Sequence, residues 1–78
     1  MNVSDALRAI ISKRGMTQQM VAERLGVSQP AVASVLSVGN PQTKILVRLL
    51  GILGYRLVAV PADAELPEGA LELETREE

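Results

Sequence analysis

Apolar residues fall on helical spacing through the first two thirds of the chain. Val3, Leu7, Ile10 and Ile11 stand at i, i+4, i+7 and i+8 with Ala6 beside them, which predicts a helix over residues 3–14. Asn2 or Ser4 can cap its start, Asp5 suits its positive end, and Lys13 and Arg14 suit its negative end before Gly15. A second helix starts at the cap Thr17, turns Val21, Ala22 and Leu25 inward, and stops at Gly26. Ser28 caps a third, with Pro30 in the first turn, where no backbone donor is needed, and Val32, Val35 and Leu36 as its inner face. Met16 with Val21 and Val27 with Val32 are spaced as hydrophobic staples across the two starts. Gly39, Asn40 and Pro41 mark a loop over 37–42, and a fourth helix then runs to about Leu53, ended by Gly54.

The fourth helix is apolar over most of its circumference. Turning about 100° per residue, Leu46, Val47, Leu50 and Leu53 cover one arc, assigned to the core. Ile45, Leu49 and Ile52 form an adjoining arc that so small a domain has little left to cover, and Lys44, Arg48 and Gly51 make the polar stripe. After Gly54 the pattern changes. "YRLVAVP" (55–61) is a run of β-favouring residues and reads as a strand, while "ALELE" (70–74) alternates and reads as a second strand or a frayed helix. Leu57, Val58 and Val60 lie on both faces of the strand, which alone leaves its backbone groups unpaired. With Ile45, Leu49 and Ile52 they are the expected interface of a two-fold homodimer. A private hairpin with 70–74 in a monomer is the alternative to pairing with a second copy.

Charge divides the chain in the same place. Residues 1–60 carry seven basic against two acidic side chains, a balance of +5; residues 61–78 carry one against seven, a balance of −6. A basic body (1–54), a dimerising strand (55–61) and an acidic tail (62–78) are the organisation this implies. Cysteine and histidine are absent, which removes thiolate staples, the usual metal ligands and the usual general base; no cofactor and no metal are expected. One aromatic residue, Tyr55, is too few for a single-strand stacking platform. No stretch reads as a signal peptide or membrane span, because Arg48 and Gly51 cut the longest apolar run, so a cytoplasmic protein is expected.

The break at Gly26 is built, with a start signal on each side of a short turn. Any αα-hairpin has such a break, but here Ala22 is small where two helices would cross closely, and Val32 and Val35 anchor the next helix from below. Gln29, Ala33, Ser34 and Ser37 are left facing outward. The window from Gln18 to Ser37 resembles the helix-turn-helix of lambda-repressor and Cro-type regulators, also called xenobiotic-response-element-like, through Ala22, Gly26, Val32, Val35, "TQQ" and "SQPAV". "NPQT…LVRLLGILG" is similar to that family's fourth helix, and "GYRLVAVP" to the strand that follows in some short antitoxins and prophage regulators. The resemblance implies a mainly α fold, a four-helix lambda-repressor-like domain with a C-terminal β-strand or hairpin used in dimerisation.

It also implies roles. Gln29 would read a base edge, as glutamine can meet adenine N6 and N7 together, with Gln18 bracing it and meeting a phosphate. Ser28, Ala33, Ser34 and Ser37 would line the groove, and Arg8 would reach phosphate. The groove face has neither Arg nor Lys, so an operator leaning towards A·T is expected. The leading expectation is a dimeric, sequence-specific repressor of double-stranded DNA. An antitoxin, with the acidic tail holding a toxin protein, is the alternative, and a DNA-silent interaction module is the third. No spacing provides a nucleophile with a base or a phosphate-binding glycine loop, so no enzyme is expected.

Overall fold

A computed structural model describes residues 1–38 and 41–74. Four helices follow one another: α1 (Val3–Lys13), α2 (Gln18–Leu25), α3 (Gln29–Val38) and α4 (Thr43–Ile52). The first three start on side-chain caps. Asn2 Oδ1 accepts the Asp5 amide at 2.8 Å, Thr17 Oγ1 that of Met20 at 3.1 Å, and Ser28 Oγ that of Ala31 at 3.3 Å. Each bond satisfies one of the amides that a helix start leaves without a partner. Helix α3 runs two residues, Ser37 and Val38, into the span expected as a loop; Gly39 and Asn40 of that loop lie outside the described residues, as do residues 75–78 of the tail.

Helices α1, α2 and α4 end alike. Past α2, Gly26 is left-handed (φ 76°), its amide donates to the Glu23 carbonyl, and the Val27 amide donates back to Ala22 at 3.1 Å. The same pair of bonds ends α1, from Gly15 to Ser12 and Met16 to Ile11, and α4, from Gly54 to Gly51 and Tyr55 to Leu50. This Schellman arrangement reverses the chain within two residues, and the left-handed residue it requires is why glycine stands there.

Helix α3 packs on α1 and α2, and α4 packs on α2. The core between them is aliphatic, with Leu7, Val21, Val32, Leu36, Leu49 and Leu53 all but sealed from solvent. Helix α4 is rotated from the expected orientation. Leu49, expected at a dimer face, is fully buried in its own chain, whereas Val47, expected in the core, is 47% exposed. Ile45 and Ile52, expected beside Leu49, are half-buried against the same core. The buried arc is centred about 50° away from the expected one. The Arg48 guanidinium donates to the Leu25 carbonyl from the exposed side of α4. Since the helix is apolar over most of its circumference, packing against α2 rather than periodicity decides that Leu49 turns inward.

The C-terminal segment also departs from expectation. Residues 55–61 form no strand, and no backbone hydrogen bond among the described residues involves 56–60. A β-favouring run becomes a strand only where a ladder partner exists, and none pairs with it among the described residues. Residues 70–74 make only an isolated parallel bridge between Glu74 and Asn2, with the Glu74 amide donating to the Met1 carbonyl at 2.9 Å. That bridge and the half-buried Leu73 return the tail to the start of α1.

Candidate nucleic-acid interface

Helices α2 and α3 and the turn between them form the unit expected to meet DNA. Helix α3 is held from below by buried Val32 and Leu36 and half-buried Val35. Its other face is open: Gln29, Pro30, Ala33, Ser34 and Ser37 are all exposed. Gln29 is the first residue of α3, directly after its cap, so its amide projects from the end of the helix nearest the turn. Ala33 and Ser34 follow one turn later on the same side, and Ser37 one turn beyond. A single helix fits the major groove, about 12 Å wide, and here its open face holds amide, hydroxyl and methyl groups with no charge.

Two of the expected hydroxyls are engaged within the protein. Ser28 is committed to its cap, and the Ser37 hydroxyl donates to the Ser34 carbonyl at 2.9 Å, leaving its oxygen as an acceptor. Arg8 and Gln18 come together in a shallow cleft where α1, α2 and α3 meet, lined also by Ser12, Met16 and Leu36. Arg8 donates from Nη2 to the Leu36 carbonyl in the last turn of α3 at 3.3 Å. A guanidinium carries five N–H donors, so that bond leaves others free to face outward. Gln18 is half-buried, and no hydrogen bond joins it to Gln29 among the described residues.

Two arginines took structural positions that their spacing did not announce. Arg48 donates from Nη2 to the Leu25 carbonyl at 3.0 Å. Arg14 lies over the Tyr55 ring, 5.6 Å from its centroid, and ties the end of α1 to the residue that follows α4. The preference of cations for helix C-termini was the available signal, but which helix each arginine would reach depends on packing.

No curated relative and no solved structure matches the chain. A helix-turn-helix family model matches residues 7–60, a span that includes the whole of α2, the turn, α3 and α4. The built turn, the anchored helix with an open face and that match over more than half the chain agree: the chain belongs to the lambda-repressor, Cro and xenobiotic-response-element type of helix-turn-helix proteins and is a DNA-binding transcriptional regulator.

Proposed function

We propose that the protein is a repressor that occupies a palindromic operator as a two-fold dimer, reading each half-site with α3. The observation that carries this reading is the open face of α3, which places the Gln29 amide ahead of Ala33 and Ser34 on a helix fixed by its own core. Gln29 suits adenine and the Ala33 methyl suits thymine, and an uncharged face has nothing to offer guanine O6 and N7 in the way arginine does. An A·T-leaning half-site follows. Arg8, beside the cleft that holds Gln18, supplies a phosphate contact from its free donors.

The dimer rests on the segment after α4. Leu57, Val58 and Val60 are 42%, 60% and 45% exposed, and the backbone between Arg56 and Val60 has no hydrogen-bond partner among the described residues. Beneath them an open apolar groove of about 380 Å³ runs between α1, α4 and the tail, walled by Val3, Leu7, Leu46 and Leu50. A second copy supplies both a ladder partner and apolar cover, whereas a small molecule in the groove supplies neither to the outward side. Two copies of α3 about 34 Å apart then meet successive major grooves.

Selection of bound fragments from random DNA tests the reading, with an A·T-rich inverted repeat as the expected product. Gln29→Ala is expected to weaken the selected site by about 1–3 kcal/mol and relax preference at one base pair. Arg8→Ala is expected to weaken all sequences alike and to flatten the salt dependence, by about 0.9 in slope for one lost phosphate contact. Competition binding against single-base variants checks the pair, and full selectivity in Gln29→Ala removes that residue as a reader. An antitoxin is the second reading, favoured by exposed Leu66 and Leu71 alternating with Glu65, Glu68 and Glu72 along the tail, a surface suited to a basic protein.

A further inference from the structure

We infer that Arg48 is a positioning residue that holds α3 at the angle needed for base reading while touching no DNA, an inference resting on the DNA-binding role of the helix-turn-helix. At the end of α2 the Schellman bonds occupy the carbonyls of Ala22 and Glu23, and no backbone donor among the described residues reaches that of Leu25. Leu25 is the last residue of α2, and its carbonyl stands at the negative end of that helix immediately before the turn. Arg48 donates to it from α4, 23 residues further along the chain. The bond therefore ties the pivot between α2 and α3 to a helix outside the unit.

The geometry gives this tie a particular leverage. Gly26 sits in the left-handed region with no side chain from elsewhere within 4 Å of where its Cβ would stand, so the turn is held there by its backbone bonds. Only three residues, Gly26, Val27 and Ser28, separate the anchored carbonyl from Gln29 at the head of α3. Arg8 makes the corresponding tie at the other end of α3, to the Leu36 carbonyl. The Arg8 bond lies in the last turn of α3, away from Gln29, so the head of the helix depends on the Arg48 tie. A small rotation at the pivot displaces the Gln29 amide from a base edge but leaves phosphate attraction almost unchanged.

That difference separates positioning from contact. Arg48→Met keeps the apolar stem and removes the donors, and Arg48→Lys keeps a positive donor on a similar stem. Each is titrated with the tightest duplex selected from a random pool and with a random-sequence duplex, across a range of salt. Arg48→Met is expected to lower affinity for the selected duplex about tenfold, with affinity for the random duplex and both salt slopes unchanged, and Arg48→Lys to recover part of the loss. Equal losses on both duplexes with a slope reduced by about 0.9 show a phosphate contact and overturn the inference. So does an unchanged ratio of the two affinities in both variants. In the DNA-free protein, amide NMR signals of residues 26–31 are expected to shift in Arg48→Met and to return towards wild type in Arg48→Lys; unmoved signals overturn the brace. Should the wild-type chain bind no duplex at all, the DNA-binding reading fails while the NMR comparison still decides whether Arg48 holds the turn.

Discussion

Sedimentation equilibrium at micromolar concentration is expected to return twice the mass of one chain, and Val58→Lys is expected to return it to one. Val58 is 60% exposed, so the substitution removes almost nothing from the packing of a single chain and alters its stability by no more than about 0.5 kcal/mol. In a two-fold ladder the same lysine faces apolar neighbours and its own symmetry mate, where like charges oppose pairing. A micromolar dissociation constant corresponds to about 8 kcal/mol, and loss of a few kcal/mol from it leaves monomers at working concentrations. Operator affinity falls with it, because one α3 holds half of the base contacts. The absence of cysteine allows a direct geometric check. Single cysteines placed in turn from Arg56 to Val60 are expected to oxidise to interchain disulfides, most strongly at the position on the two-fold axis. Antiparallel neighbours there have Cα atoms about 4.5–5.5 Å apart, within disulfide range. A wild-type monomer at micromolar concentration, with a melting temperature independent of concentration and no cross-link along the scan, sinks the dimer.

What could be read from sequence followed the range of the interactions. The caps at Asn2, Thr17 and Ser28 and the glycine stops at Gly15, Gly26 and Gly54 depend on residues within five positions of one another, so their spelling is local and those helix limits came out within a residue or so. The end of α3, which has no such stop among the described residues, lies two residues beyond the expected one. The unit of α2, turn and α3 followed from the same local signs plus small Ala22 and buried Val32. Partners distant in the chain were a different matter. Nothing near Arg48 indicates that it will bond Leu25, and nothing near Arg8 indicates Leu36. The run from Tyr55 to Val60 has strand-forming side chains, but a strand is a relation between two segments, and none pairs with this run among the described residues. The open face of α3 was legible because its inward residues were, and the outward ones follow at helical spacing.

Leu49→Ala is expected to cost about 2–5 kcal/mol, and Val47→Ala, two residues away on the same helix, no more than about 0.5 kcal/mol. The contrast tests the rotation of α4 directly, since periodicity alone assigned the two residues the other way round. Leu49 is fully buried, and removing its three outer carbons leaves a void in a core of only four short helices. Val47 is 47% exposed and loses little by truncation. Against a total stability of about 5–15 kcal/mol, the first change consumes a large share of the margin. In a domain of this size each kcal/mol shifts the melting temperature by about 4–8 °C, so the two variants melt well apart. Urea titration at one fixed protein concentration is the measurement, because dimerisation makes apparent stability depend on concentration. Equal losses for the two variants place α4 in a rotation that does not turn its Leu49 face inward. Helix α4 supports α2 through that face, so the Leu49 variant is also expected to loosen the turn and lose discrimination between selected and random DNA at temperatures where it is still folded.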